Sequence, residues 1–428
     1  MDGPTNGCLM TTTLPTTEPS PPLPPRRAPG GNPKGPLRKR PGTPGLRLLA
    51  RLTPADLRVL RLYLFTRLGL WLVTYSTAWL VRAGSGAKTP ASWLSLWAQW
   101  DWCHYQHIAQ YGYFAPFPGI RPEADNRAAF FPGFPLVLRA VHTVIPDWTV
   151  AGLLISLVSG AVAVTALARI AGIGRTDGAV AGQRATGFLL LSPAAMFLAA
   201  GYTESLFLAF ALPAWLAAKH RNWPVAGLLA ALATTTRVSG LFLAAAILVE
   251  FLLARDGRRG PRRLRSLLWC LAPAVPAAAY TGYLHARTGD LMAWKHAQER
   301  GWNREFHTPA EAFSNTWRNA FDHVQSTGYA WEFQFELVAM AVGILLLFVL
   351  LLRRRWPEAT YTGLTLWALG TSYWYLSVPR ATLLWWPLWT GLAHWSLRRG
   401  WVTEAYAGAV APLMVVFTVT FASGHWAG

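Results

Sequence analysis

Long apolar runs separated by short basic segments are the feature that most constrains the fold of this chain of 428 residues. Several runs approach the roughly 20 residues that an α-helix needs to cross the hydrocarbon core of a bilayer. Hydrophobic residues make up 53% of the chain and charged residues 14%, whereas a soluble protein has about 25% charged residues. The sequence therefore predicts an all-α, polytopic membrane helix bundle with about 9–11 membrane segments.

The formal net charge of +19 needs an explanation, because in a soluble protein it would point to nucleic acid. Here lysine and arginine cluster in the segments between apolar runs, as the positive-inside rule describes for cytoplasmic loops. Topology thus accounts for the charge. We predict contact with membrane lipids and no nucleic-acid partner.

The chain divides into two regions by composition. Residues 1–55 are rich in proline and arginine, cannot bury a core, and are predicted to be a disordered cytoplasmic tail. Its PxxP-like pieces leave open a partner domain that binds polyproline segments. Residues 56–428 form the predicted membrane domain, with a first outer loop at 83–127 and a second large outer loop at 286–331.

The basic segments create a parity conflict in the topology. If the tail and the basic segment 173–185 are both cytoplasmic, an even number of crossings must separate them. The apolar runs 60–82, 130–145 and 150–172 would make three. We predict that 130–145, which holds two prolines, Arg139 and His142, lies on the surface or re-enters. The alternative is that 173–185 lies outside.

Residues 224–252 are long for one crossing and short for two. The run holds the polar sequence TTTRVSG in its middle, which predicts a bent or broken pair of helices with Arg237 near the outer face. The other predicted spans are 186–201, 204–218, 266–284, 334–352, 361–377, 381–396 and 405–422.

The stretch from Ser95 to Tyr113 is too polar to cross a bilayer and too aromatic for an ordinary solvated loop. Amphipathic rings of this kind settle at a membrane–water boundary. We predict a short surface-lying helix that presents the carboxylate of Asp101, although an exposed loop carboxylate is the alternative. At helical spacing, one face contains Asp101, Tyr105, Ile108 and Gly112. The neighbouring face contains Trp100, His104, His107 and Tyr111.

A metal site is a further possibility for this stretch. His104 and His107 are three residues apart and Asp101 could add a third ligand. No fourth ligand is evident nearby in the sequence, and interfacial histidines commonly remain polar rim residues. We predict no metal and no cofactor.

With this topology the unusual polar residues collect on one side of the membrane. Ionisable residues at membrane depth line a cavity or pair with one another, so Glu204 and Arg237 could simply neutralise each other. Tryptophans of the second outer loop could be interface anchors or flat platforms for a sugar ring. The polar residues include Tyr202, Glu204, Arg237, Asp290 and Arg380, and the tryptophans are Trp294, Trp302 and Trp317.

Six short motifs, in one order from about residue 60 to 400, resemble those of the PIG-V family of mannosyltransferases and its bacterial relatives. Four positions depart from the family pattern: Phe134 and Ala381 replace tyrosine, and Val238 and Leu291 replace proline. The motifs are Trp100-Asp101 with Tyr105, Ile108-Ala109 and Gly112-Tyr113; Phe130-Phe131-Pro132 with Phe134-Pro135; Ser192-Pro193-Ala194 with Tyr202-Thr203-Glu204-Ser205; Thr236-Arg237 with Gly240; Gly289-Asp290 with Ala297-Gln298 and Trp302; and Pro379-Arg380.

The resemblance implies a GT-C fold in the plasma membrane, with an extracytoplasmic active site. It implies a polyprenyl-phosphate-linked sugar as donor, usually mannose, and transfer with inversion to a lipid or glycan acceptor. The family's first-loop aspartate, here Asp101, is the expected base. The substrate-binding residues that we predict are Trp100, His104, Tyr105, Tyr202, Glu204, Asp290, Gln298 and Trp302.

The chemistry of such a transfer agrees with the charged residues. A lipid phosphate leaves and negative charge develops on its oxygen, which a fixed arginine stabilises without a metal. Arg237 and Arg380 are the predicted phosphate ligands, and Arg304 is a weaker candidate in a more exposed segment. A transporter or flippase for lipid-linked sugars remains the alternative function, although the sequence shows no internal repeat.

Overall fold

A computed structural model of the protein describes residues 52–81, 91–116, 125–254 and 260–428. Over these ranges the chain forms helices and turns and no β-strand. The predicted disordered tail 1–55 lies almost entirely outside the described residues. In chain order the helices are α1 (Pro54–Leu80), α2 (Trp102–Tyr111), α3 (Gly133–His142), α4 (Trp148–Ala171), α5 (Gly178–Leu190), α6 (Thr203–Lys219), α7 (Trp223–Thr236), α8 (Ser239–Leu253), α9 (Pro261–Leu271), α10 (Ala274–Thr288), α11 (Ala293–Trp302), α12 (Pro309–Phe321), α13 (Thr327–Leu352), α14 (Trp356–Gly370), α15 (Val378–Thr382), α16 (Trp386–Arg398), α17 (Trp401–Ala405) and α18 (Ala411–Ala422).

Four helical stretches of the described chain are long and apolar enough to cross a bilayer. They are Trp148–Ala171, Arg263–Thr288, Thr327–Leu352 and Trp401–Ala422. The last stretch contains a π-helical turn at Tyr406–Val410 between α17 and α18. The prediction of an all-α, multi-pass membrane protein is confirmed.

The run 224–252 is two helices, as predicted, and the break falls at Arg237. Arg237 has an extended backbone (φ −155°, ψ 149°) between α7 and α8. The hydroxyls of Thr234, Thr235 and Thr236 each donate to a carbonyl of the preceding turn, which competes with regular helix continuation. The break therefore leaves one charged residue on irregular backbone inside the bundle.

Helix α3 is short. Ten residues rise about 15 Å, which is about half the thickness of the hydrocarbon core. This length agrees with the prediction that 130–145 does not cross the membrane as a simple span.

Several predicted boundaries were wrong, and prolines explain two of them. The basic segment 173–185, expected as a connection, contains the start of α5, and the run 186–201 changes to a 3-10 helix at Pro193. The run 361–377 is helical only as far as Gly370, and the run 381–396 is divided between α15 and α16, whose first turns contain Pro379 and Pro387. Proline fits the first helical turn but cannot continue a preceding helix.

Trp102 attaches α2 to the membrane bundle. Its ring is buried and packs between two glycines, Gly152 of α4 and Gly201 ahead of α6. A Cβ atom on either glycine would lie 2.5 Å from Cζ3 of Trp102. Because Asp101 directly precedes Trp102, this contact also positions the aspartate.

We expect Gly152→Ala to destabilise the protein, because overpacking a filled core costs about 1–3 kcal/mol. The measurement is the apparent unfolding temperature of the full chain in detergent. Gly282→Ala is the matched control, since a Cβ there meets open space within a helix. Equal unfolding temperatures for the two variants would contradict the close packing of Trp102.

Candidate active site

Arg380 joins two carboxylates inside the protein. Its Nη1 donates to Oδ2 of Asp101 at 2.8 Å, and its Nε donates to Oε1 of Glu204 at 2.5 Å. The exposed fraction is 5% for Arg380, 8% for Asp101 and 0% for Glu204. Buried charges of this kind are tolerated when each has a partner of opposite sign.

A second arginine extends the network from the other side of Glu204. Nη1 of Arg237 donates to Oε1 of Glu204 at 2.6 Å and to Oγ1 of Thr203 at 2.7 Å. Positive and negative groups therefore alternate from Asp101 through Arg380 and Glu204 to Arg237. Glu204 and Arg237 do form the ion pair that was considered as an alternative, but Glu204 is shared, because it is the counter-ion of both Arg237 and Arg380.

The backbone before Arg380 is held by a third buried carboxylate. Oε1 and Oε2 of Glu336, on α13, accept the backbone N–H groups of Ser377 and Val378 at 2.7 and 2.8 Å. Ser377 has a left-handed backbone (φ 64°), which L-residues adopt rarely. Glu336 thus compensates the free N–H groups at the start of α15 and fixes the segment that carries Arg380.

Asp101 is positioned by its neighbours in the chain. The hydroxyl of Tyr202 donates to the carbonyl of Gln99 at 2.7 Å, and Nε1 of Trp100 donates to the carbonyl of His425 at 3.1 Å. These contacts tie both sides of the aspartate to distant parts of the sequence. Asp101 precedes the first residue of α2, and it is buried in an ion pair rather than exposed on a loop.

Two aromatic rings contact the central guanidinium. Cζ of Arg380 lies 4.8 Å from the ring centroids of both Phe197 and Tyr202. A cation over a ring face is stabilised by the ring quadrupole, most strongly where water is excluded. The rings therefore help to hold Arg380 at its charged partners.

A cavity of about 390 Å³ opens beside the network. We call it the basic cavity, because Arg237, Lys295, Arg304 and Arg380 line it and Asp101 is the acid among the described residues of its wall. Burial and the charge of Arg237 lower the pKa of Arg304 to about 10, so Arg304 is still a cation at neutral pH. Tyr105, Gln298 and Trp302 also line this cavity.

A second cavity, of about 640 Å³, also has Asp101 in its wall. We call it the acidic cavity, because Asp101, Glu332 and Glu336 line it and its described wall contains no lysine or arginine. Trp302 and Trp426 are shared with the basic cavity. Asp101 is thus the carboxylate common to two cavities of opposite charge.

The remaining predicted site residues differ in their burial and in the cavity that they line. Trp100 and His104 line the acidic cavity, whereas Tyr202 and Glu204 are fully buried and contact Arg380. Asp290 lines neither cavity; its partly exposed carboxylate pairs with Nδ1 of His296 at 2.6 Å.

The candidate metal ligands do not form a metal site, and the candidate sugar platforms differ in exposure. Over the described ranges, no three His, Cys, Asp or Glu side chains come together as a metal site, and Asp101 pairs with Arg380 instead. Trp294 lines the basic cavity and donates to the carbonyl of Ala129 at 3.1 Å. Trp317 is exposed next to Phe321, which suits an interface anchor.

Glu332, Glu336 and Trp426 are wall residues that the sequence analysis did not identify. The two glutamates are four residues apart at the start of an apolar run, so they share one helix face. Acidic side chains repeated at that spacing in a predicted membrane helix are a usable signal for an internal polar site. Trp426 follows the last helix and has no comparable sequence signal.

The sequence is similar to curated mannosyltransferases over part of its length. GPI alpha-1,6-mannosyltransferase 2 of Rattus norvegicus is 32% identical over 178 residues, which cover 39% of this chain and 34% of the relative. The proteins of that name from Cricetulus griseus and Mus musculus are 33% and 31% identical, and the matches cover 34% and 38% of this chain and 29% and 33% of the relatives. The chain thus matches about a third of the length of these relatives.

These matches confirm the resemblance to the PIG-V family that the motifs predicted. No family model matches the chain. Among solved structures, ArnT from Cupriavidus metallidurans bound to undecaprenyl phosphate is similar with a TM-score of 0.38 and 15% sequence identity, over 85% of this chain and 75% of that chain.

We expect Glu336→Ala to loosen the segment that carries Arg380. The backbone N–H of Val378 would remain buried without an acceptor, which costs about 1–3 kcal/mol. Hydrogen exchange followed by mass spectrometry should show faster exchange in the peptide containing 377–380, together with a lower unfolding temperature.

Glu250→Ala is the control for this prediction. The carboxylate of Glu250, on another helix of the membrane domain, pairs with Lys219 at a partly exposed site. An ion pair at such a site contributes about 0–1 kcal/mol. Unchanged exchange at 377–380 in the Glu336 variant would show that the glutamate does not hold this backbone.

Proposed function

We propose that the protein is a membrane glycosyltransferase of the GT-C type that transfers a sugar, mannose in its named relatives, from a polyprenyl-phosphate donor. The acceptor is a hydroxyl of an extracytoplasmic glycolipid or glycan, and the transfer inverts the anomeric centre. The observation that carries the proposal is the position of Asp101, which lines both the basic and the acidic cavity and is ion-paired with Arg380.

The basic cavity suits the phosphate of the donor. A polyprenyl-phosphate sugar presents a phosphodiester anion, and arginine side chains bind such oxygens with charge-assisted, often bidentate hydrogen bonds. Arg237 and Arg304 line the cavity, and Lys295 adds a further positive charge. Trp302 and Gln298 on the same wall supply a flat ring and a polar amide, as sugar sites commonly do.

Asp101 is the proposed base. The acceptor oxygen attacks the anomeric carbon while Asp101 takes its proton, and the bond between that carbon and the phosphate oxygen breaks on the opposite face. This is the geometry of inverting sugar transfer. The products are the glycosylated acceptor and a polyprenyl phosphate that carries one additional negative charge.

Arg380 links the two charge changes of the reaction. A guanidinium has five N–H donors, so it can bind Asp101, Glu204 and a phosphate oxygen together. When Asp101 accepts a proton, its ion pair with Arg380 loses one negative charge, and at the same moment the leaving phosphate gains one. A fixed cation next to both sites stabilises this transfer of charge without a large reorganisation.

We expect Asp101→Asn to lower the rate of transfer by about 10²–10⁴-fold, the usual contribution of a general base, while membrane insertion is unchanged. Purified protein would be incubated with radiolabelled polyprenyl-phosphate mannose and membrane lipids, and labelled glycolipid counted. Asp290→Asn makes the same change outside both cavities and should retain activity. Full activity of the Asp101 variant would remove it as base, and translocation of the donor without product would favour a transporter.

We expect Arg380→Lys to reduce kcat by about 10²–10³-fold, because an ammonium cannot replace the planar fork that binds two carboxylates. Single-turnover rates with saturating donor would measure the chemical step directly. Arg398→Lys, at an exposed helix end, is the control. A fall in donor affinity with an unchanged single-turnover rate would contradict the proposed role in the transition state.

A further inference from the structure

Asp101 shares its place in both cavity walls with two tryptophans. The described residues that line both cavities are Asp101, Trp302 and Trp426. In the proposed reaction the sugar lies beside Asp101, because it is bonded to the donor phosphate before transfer and to the acceptor oxygen afterwards. A sugar at that position is next to the shared wall, whose members other than Asp101 are indole rings.

Trp426 is tied to the residue that directly precedes Asp101. Its ring packs against the ring of Trp100, with the centroids 5.3 Å apart and the planes nearly perpendicular, at 83°. Nε1 of Trp100 also donates to the backbone carbonyl of His425 at 3.1 Å. These two contacts hold Trp426 at a fixed position relative to the carboxylate, while its partial exposure leaves the ring within reach of a ligand.

The backbone on both sides of Trp426 supports this position. After α18 the chain turns at Gly424, whose left-handed backbone (φ 85°) glycine adopts without strain. The backbone N–H of His425 then donates to the carbonyl of Thr420 at 3.1 Å, and Ala427 is fully buried. An indole that is held in this way is preorganised, so a ligand that binds it has little side-chain freedom left to remove.

An indole ring beside the base suits a sugar in two ways. Its apolar face can pack against the C–H groups of a pyranose ring. In an inverting transfer the sugar also gains positive charge, because the transition state resembles an oxocarbenium ion. The electron-rich face of an aromatic ring attracts a cation, and tryptophan does so most strongly.

We propose that Trp426 is the platform for the transferred pyranose and that its ring stabilises the positive charge that develops on that sugar. Asp101 takes the proton of the acceptor hydroxyl while Trp426 contacts the sugar ring. The identity of this sugar as the transferred one rests on the proposed function, whereas the contact of a lipid-linked sugar with Trp426 can be measured without transfer.

Binding of short donor analogues tests the contact. The full chain in nanodiscs would be titrated calorimetrically with citronellyl phosphomannose and with citronellyl methyl phosphate, two phosphodiesters of equal charge that differ in the sugar. We expect Trp426→Leu to weaken the binding of the mannose-bearing analogue by about fivefold. The affinity for the sugar-free analogue should stay unchanged, which also shows that the variant is folded.

Trp401→Leu is the matched control for the binding experiment. Trp401 is exposed and lines neither cavity, so its substitution should change neither affinity. An unchanged affinity of the Trp426→Leu variant for the mannose-bearing analogue would overturn the platform.

Single-turnover rates at saturating donor test the stabilisation of charge. Trp426→Leu should lower the rate by about tenfold, and Trp426→Phe, which keeps a ring, by about threefold. Phenylalanines with increasing numbers of fluorine atoms would then be introduced at position 426. Fluorine withdraws electron density from the ring face with little change in shape, so the rate should fall with each added fluorine. Equal rates across this series would overturn the stabilisation of charge by the ring.

The two experiments also separate this inference from the proposed function. Transfer by the unmodified protein together with full activity and full mannose-dependent affinity of Trp426→Leu would retain the glycosyltransferase and reject the platform. Trp426-dependent binding of the mannose-bearing analogue, without transfer from any polyprenyl-phosphate sugar, would support the contact and reject the proposed reaction.

Discussion

The arrangement of the site depends on one buried cation, Arg380, and on the two carboxylates that it contacts. An arginine that is 5% exposed is unfavourable in an apolar bundle unless its charge and its N–H groups are matched. Asp101 and Glu204 supply that match at 2.8 and 2.5 Å. Removing any one of the three leaves an uncompensated buried charge, so the packing of this region depends on these ion pairs.

The network also explains why two cavities of opposite charge lie side by side. Arg380 and Arg237 face the basic cavity, and Glu336, which holds the backbone before Arg380, faces the acidic one. Asp101 belongs to both walls. In the proposed reaction, the donor phosphate and the acceptor hydroxyl would reach this one carboxylate from two cavities of different charge.

Each charged residue of the network lies at a helix end or a helix break. Asp101 precedes α2, Glu204 is in the first turn of α6, and Arg237 separates α7 from α8. Irregular backbone at membrane depth is tolerated where it lines a cavity, because its free polar groups can then be satisfied. Among these elements, the short helix α15, which the apolar runs did not predict, carries Arg380.

The sequence alone determined the all-α membrane architecture and the break at Arg237, and it drew attention to Asp101 and Arg380, because hydrophobic run length and isolated charges in or near apolar segments are local properties of the chain. Only the tertiary structure decided that Glu204 is a counter-ion, that Asp290 lies apart, and that Glu332, Glu336 and Trp426 form a second wall. Those outcomes depend on which helix ends meet in space. Arg380 contacts Asp101, which is 279 residues away in the sequence, and neither periodicity nor composition along the chain indicates that these two residues are in contact.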